Sequence, residues 1–187
     1  MGGLHNGHGE LIKTAKKCGI HQQTIVLVSI FVNPLQFSAG EDFKTYPKDL
    51  KGDLDFLTEY GADAVWVPSV KDVYPNGLNE HFKLKVPSHL IANLCGSQRE
   101  GHFDGVATVM TQLLKLVKPD ILVMGEKDWQ QLVIVRQLLQ DLGLTIQLKG
   151  VPTVRDEDGI ACSSRNIYLN TRSRQKALFL SKELMNA

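Results

Sequence analysis

Thr24-Ile25-Val26-Leu27-Val28-Ser29-Ile30-Phe31-Val32 is an almost unbroken apolar, largely β-branched run, stopped by Asn33-Pro34. A strand of this uniformity is expected to be buried on both faces, as in a parallel sheet covered by helices. Leu35-Gln36-Phe37 and a polar loop to Pro47 follow the break. In open parallel α/β sheets ligands bind at the C-terminal ends of strands. Asn33 and Gln36 are therefore candidate site residues, although turn and cap roles would also suit them.

The remaining chain alternates in the same sense. Asp49 to Tyr60 is expected to be a helix, capped by Asp49, lined on one face by Leu50, Leu54 and Leu57, and ended by Gly61. On it, Asp53 and Asp55 are expected to be solvated charges, with metal contact as the minority reading. Ala64 to Val67 suits a short strand, and Phe82 to Val86 alternates like an edge strand. Gly96 to Phe103 is a glycine-bracketed loop around Arg99, whose fork of donors suits an anion-binding flap; a plain solvated loop is the alternative. Val106 to Val117 has helical spacing, Ile121 to Met124 suits a buried strand, Trp129 to Leu142 a helix closed by Gly143, and Thr145 to Gly150 another strand. A last helix starts after Asn170 or Thr171. The alternation argues an α/β fold: a Rossmann-like open parallel sheet with flanking helices. No GxGxxG follows a strand and no GxxxxGK[ST] occurs, so neither a dinucleotide-binding dehydrogenase nor a P-loop enzyme is supported.

Three segments could hold an anion. Met1-Gly2-Gly3-Leu4-His5-Asn6-Gly7-His8 leads into an amphipathic segment, so a glycine-rich turn would open a helix N-terminus, where free N–H groups and the helix dipole attract phosphate. Residues three apart share a helix face, so His5 and His8 could address one ligand. Gly125-Glu126-Lys127-Asp128 repeats the strand–glycine–helix pattern, and Lys127 would sit at the strand's C-terminal end, although surface ion pairs are also open to it. Cys162-Ser163-Ser164-Arg165, between a strand and a helix, resembles a further phosphate cradle. With a net charge of +1, any positive potential must be local, and no global field favours nucleic acid or a membrane surface. Three scattered cysteines form no metal-ligand spacing or disulfide framework and favour a reducing, cytoplasmic compartment.

Taken together these motifs resemble the pantothenate synthetase (pantoate–β-alanine ligase) family, within the HxGH nucleotidyltransferases. The resemblance runs through residues 1–8, Val28 to Phe37, Glu41 to Pro47, Leu94 to Phe103, Gly125 to Leu132 and Ser163 to Leu169. It implies ATP-dependent ligation of pantoate and β-alanine through a pantoyl adenylate, releasing AMP and pyrophosphate. It further implies that His5, His8 and Lys127 are catalytic, with His8 in the proton-donor position. Met1 to His8, Gly125 to Asp128, Val154 and Cys162 to Arg165 would line the ATP site. Gln36 and Gln131 would hold pantoate, Gln36 also β-alanine, and Arg99 would belong to a flap. Mg2+ would arrive with ATP, and Asp53 is a possible contact to it. A cytoplasmic homodimer is expected.

Several positions differ from the family pattern: Gly3 and Asn6 fill variable slots, Glu100 stands where proline is usual in the flap, and Cys162 where methionine or leucine is usual. Family members also carry a central strand before the opening methionine and a C-terminal lid domain. The chain is thus expected to hold a catalytic domain over 1–170, lacking its first strand, and a helix over 171–187 leading towards that lid. A truncated nucleotide-binding module, or another HxGH adenylyltransferase, are the alternative functions.

Overall fold

The computed structural model describes residues 1–19, 24–38 and 40–186. Helix α1 (Asn6–Cys18) starts where the His5 side chain takes the N-cap, and it buries Gly9 and Ile12. Strand β1 (Leu27–Ser29), helix α2 (Leu50–Tyr60) and strand β2 (Ala64–Trp66) form a β-α-β unit in which Leu27 stands opposite Ala64 in a parallel pair. Three short helices follow: α3 (Val70–Val73), α4 (Ser88–Ile91) and α5 (Leu94–Gln98). Helix α6 (His102–Val117) leads into a second β-α-β unit of β3 (Ile121–Gly125), α7 (Trp129–Asp141) and β4 (Gln147–Val151), again parallel, with Ile121 opposite Gln147. Helix α8 (Thr171–Asn186) closes the chain.

Each β-α-β unit has its own apolar packing. Ile12, Val26, Ile30 and Leu57 pack together beside the first pair, and Leu114, Met124, Leu132, Val135 and Leu139 beside the second. Helix α1 bridges them, packing on α2 and also along β3 and β4. That placement carries the start of α1 to the C-terminal end of the second pair. Among the described residues the strands form two separate two-stranded parallel ladders, and no hydrogen-bonded ladder joins them.

Several local expectations are corrected. The long apolar run forms only a three-residue strand, and Ile25 and Leu27 are exposed while Val26 and Ile30 are buried. Successive side chains point to opposite faces, and the face carrying Val26 and Ile30 is the one that packs with Ile12 and Leu57. On α2, Asp49 does cap, accepting from the Gly52 amide at 3.0 Å, and Gly61 ends the helix in the left-handed region. The inward face, however, is Asp53 and Leu57; Leu50 and Leu54 are 46% and 40% exposed. Asp53 is only 4% exposed and is no solvated charge. Residues 82–86 form no strand: the Leu84 amide donates to Thr108 Oγ1 at 3.1 Å and the Val86 amide to Asp104 Oδ1 at 2.9 Å. Side chains of α6 thus satisfy donors that a strand neighbour would have satisfied, and Phe82 is left 94% exposed. The expected 96–103 loop is largely helical, holding the end of α5 and the start of α6.

Candidate nucleotide-binding site

The opening turn is built around two glycines and a buried carboxylate. Gly2 and Gly3 both have positive φ, at 93° and 63°, which L side chains rarely adopt. Their turn aims two amides at Asp53: Gly3 N–H donates to Oδ2 at 3.0 Å and Leu4 N–H to Oδ1 at 2.7 Å. A carboxylate from α2 therefore sets the angle at which the chain enters α1. Both oxygens are already engaged by backbone, and among the described residues no cluster of three metal-ligating side chains occurs. The residues do not fit a direct metal contact through Asp53.

The two imidazoles then cap the helix reciprocally. Gly7 N–H donates to His5 Nδ1 at 3.2 Å, and His5 N–H donates to His8 Nδ1 at 3.2 Å. The ring centroids are 4.1 Å apart. Because each Nδ1 accepts a hydrogen bond, each neutral ring must carry its proton on Nε2. Burial keeps both rings neutral. It is the largest cause lowering the His8 pKa to about 3, followed by His5, the terminal amine and Lys127. Burial and then Lys127 lower that of His5. Gly7 makes the arrangement possible, since a Cβ there would lie 2.9 Å from His5 Cε1.

A cleft of about 110 Å3 lies against this pair at the C-terminal ends of β3 and β4. Its walls are His5, Gly7, His8 and Leu11 at the cap and start of α1, Gly125, Lys127 and Asp128 at and just past the end of β3, and Val151 to Val154 with Cys162 at and beyond the end of β4. The Lys127 ammonium stands 3.7 Å from Asp128, a loose and partly exposed pair, so its charge is available to the cleft. His5 and His8, each with its proton on Nε2, and the Lys127 ammonium line one cavity beside the start of α1. Such a set binds and stabilises an oxyanion.

The other expected site residues border this cleft at varying remove. Cys162 is buried, and its Sγ donates to Asp156 Oδ1 at 3.1 Å. Burial pushes the thiol pKa up, with the Asp156 hydrogen bond adding to it, so the sulfur is a small packing group and no nucleophile. Ser163, Ser164 and Arg165 do not line the cleft with the imidazoles. Ser163 Oγ accepts from the Arg165 amide at 3.2 Å, Ser164 Oγ meets the Tyr46 hydroxyl at 2.9 Å, and Arg165 grips Asp42 through Nε and Nη2 at 2.8 and 2.7 Å while lying over the Tyr46 ring. This loop nevertheless flanks the opening turn, since a Cβ on Gly3 would be 3.1 Å from Ser164 Cβ. Gln36 adjoins the chain start, donating through Nε2 to Met1 Sδ at 3.1 Å. Asn33 is a buried cap, accepting from the Leu35 amide and the Tyr74 hydroxyl. Gln131 is half-buried on α7 outside the cleft, and its neighbour Gln130 ties α7 to α4 and α5. Arg99 is paired on two sides: Glu41 holds it at 2.7 and 2.9 Å and His102 at 2.9 Å. Sequence reasoning named no role for Asp42 and Tyr46, although both lie in the Glu41 to Pro47 stretch of the resemblance, and it passed over Asp156, which has no local pattern to mark it.

Comparison with known proteins bears on the same residues. The family model for pantoate-beta-alanine ligase matches residues 1–187. A bifunctional pantoate ligase/cytidylate kinase of Prochlorococcus marinus is 57% identical over the whole chain, and one of a Synechococcus species is 49% identical. The chain spans 37% and 38% of the length of these two relatives. The crystal structure of pantothenate synthetase from Thermus thermophilus superposes with a TM-score of 0.92 at 45% identity, over 99% of this chain and 65% of that one. A pantoate-beta-alanine ligase from Francisella tularensis, solved in complex with a β,γ-ATP compound and β-alanine, gives a TM-score of 0.89 at 38% identity, over 97% of this chain and 67% of that one. With a family model that matches residues 1–187 and a nucleotidyltransferase-type arrangement of histidines, lysine and parallel strands, the chain belongs to the pantoate-beta-alanine ligase family.

Proposed function

We propose that the chain carries the ATP-dependent ligation of pantoate to β-alanine through a pantoyl adenylate. The observation that carries this reading is the pair of neutral imidazoles whose Nδ1 atoms are both occupied by backbone amides, leaving two Nε2–H groups for the cleft shared with Lys127. In the first step a pantoate carboxylate oxygen attacks the α-phosphorus of ATP and the bond to pyrophosphate breaks. Charge then accumulates on phosphate oxygens, where the Nε2–H donors and Lys127 act without reorganising. In the second step the β-alanine amine attacks the acyl carbon, loses a proton and expels AMP. No protein nucleophile is needed, in keeping with the protonated, buried Cys162 thiol.

Val154 and Cys162 provide an apolar wall for the adenine end, and Ser163, Ser164 and Arg165 approach the phosphates from the flank. Arg165 would exchange its Asp42 partner for phosphate oxygens. Gln36 and Gln131 would hydrogen-bond pantoate, and Gln36 also β-alanine. Magnesium would come with the nucleotide, ligated by phosphate oxygens and water, as this ion usually is. With both Asp53 oxygens engaged by backbone, that residue supports the turn instead of the ion. Homodimerisation and a cytoplasmic location belong to the same proposal.

The test is pantoate-dependent exchange of pyrophosphate into ATP. Exchange that requires pantoate supports the reading, and exchange driven by a different acceptor, such as nicotinate mononucleotide or phosphopantetheine, refutes the substrate. ATP binding with no exchange under any acceptor would favour a nucleotide-binding module instead.

A further inference from the structure

His102 lies at the first position of α6, buried, and joins two groups of opposite character. Its Nδ1 is 2.6 Å from the Gln36 carbonyl oxygen, and its Nε2 is 2.9 Å from Arg99 Nη1. A carbonyl can only accept and a guanidinium can only donate. The ring must therefore be neutral with its proton on Nδ1, the tautomer opposite to that of His5 and His8. Arg99 is itself fixed, with Nε and Nη2 on the two Glu41 oxygens at 2.7 and 2.9 Å, and Glu41 Oε2 accepts the Ser38 amide at 3.1 Å. A continuous chain of directed bonds thus runs Glu41–Arg99–His102–Gln36. The Gln36 side chain, by contrast, is held loosely, by a methionine sulfur and by Asn33 Nδ2 at 3.4 Å. The main chain at Gln36 is consequently the better-determined part, and it sets the position and Cα–Cβ direction from which the side-chain amide reaches out.

We propose that His102 is a positioning residue that aims the Gln36 amide at the hydroxy-acid substrate by gripping the Gln36 carbonyl. The inference rests on the ligase reading above, in which Gln36 contacts that substrate. Burial, the largest cause, lowers the His102 pKa and keeps the ring in the neutral form that the clamp needs. The grip acts on the acid and leaves the nucleotide wall untouched, so its loss should appear in one Michaelis constant.

Two substitutions separate the two ends of the ring. The asparagine amide of His102→Asn can stand where Nδ1 stands and keep the donor to Gln36. The longer His102→Gln can place an acceptor near Nε2 for Arg99 and lose that donor. In the pantoate-dependent exchange assay, His102→Gln should raise KM for pantoate about tenfold with KM for ATP changed by less than about twofold, while His102→Asn stays within about threefold of wild type. Equal pantoate KM values for the two variants would overturn the proposal. Long-range 1H–15N spectra of the unsubstituted chain give an independent reading that needs no variant to fold. A protonated Nδ1 at His102 beside protonated Nε2 at His5 and His8 supports the clamp, and a protonated Nε2 at His102 overturns it. If that tautomer is found but no exchange depends on pantoate, the ligase reading falls and takes the substrate-positioning role with it.

Discussion

Removing the Asp53 carboxylate should loosen the turn on which the histidines stand. The carboxylate is 4% exposed and takes Gly3 N–H at 3.0 Å and Leu4 N–H at 2.7 Å. Hydrogen bonds to a charged acceptor contribute roughly 1.5–3 kcal/mol each, and a buried donor left unpaired costs about 1–3 kcal/mol. Asp53→Asn keeps one acceptor oxygen but turns an NH2 group towards the second amide, so it should lose one bond, roughly 1.5–3 kcal/mol. Asp53→Leu strands both amides, and its loss should be about twice that, a large share of the roughly 5–15 kcal/mol that stabilises a domain. Urea unfolding of the two variants beside wild type measures these losses. Exchange activity titrated with magnesium then distinguishes the anchor from a metal ligand. The anchor reading expects lower stability, lower exchange and an unchanged magnesium midpoint. Unchanged stability together with a magnesium midpoint shifted by about tenfold or more would refute it in favour of direct ion contact.

Other perturbations follow from the same geometry. Lys127→Ala should slow pantoyl adenylate formation by about 10²–10³, as loss of one preorganised oxyanion donor does; a single-turnover rate within tenfold of wild type would count against the role. Gly7→Ala favours the helix by up to about 1 kcal/mol, yet its Cβ would meet His5 Cε1 at 2.9 Å, so melting temperature should hold while exchange falls. His8, whose folded pKa is lowered to about 3, binds its proton far more readily when unfolded. That contribution to stability is fully present above the unfolded pKa of about 6.5 and is lost as pH falls towards 3, at about 1.4 kcal/mol per pH unit. A drop from pH 7 to 5 should thus cost about 2 kcal/mol, and His8→Gln should visibly flatten the pH dependence of the urea midpoint. Thr108→Val removes the acceptor for the Leu84 amide and should cost about 1–3 kcal/mol, whereas Phe82→Ser, at an exposed site, should stay within about 0.5 kcal/mol.

The parts of the site legible in the sequence are those whose geometry is set over a few residues. His5 and His8 share one helical turn because of their spacing, and the N-terminus of α1 follows from the glycine turn before it. Lys127 was legible because a short apolar strand, a glycine and a helix start place it at a strand's C-terminal end. Helices α1, α2, α6, α7 and α8 and strands β2, β3 and β4 also appear where propensity, caps and periodicity put them. The errors cluster where a distant partner intervened. Asp53 carries the same local signal as the solvated Asp55, yet it is buried where amides 50 and 49 residues away donate to it. Alternation at 82–86 suggested a strand, but α6 side chains took its amides.

What the sequence determined by itself was the class of fold and the chemistry of the cleft: β-α-β alternation, a helix start loaded with histidines, a lysine after a strand, and the motif series of one family. Only the tertiary structure decided that Asp53 lies under the opening turn, that Arg165 is paired with Asp42 across 123 residues of sequence, and that Arg99 is held by Glu41, 58 residues away. The physical reason is one of range. Helix spacing, caps and turns act between neighbours and are written in the local order of residues. Burial and these ion pairs depend on which groups meet after the chain has closed, and no short stretch of sequence contains both partners.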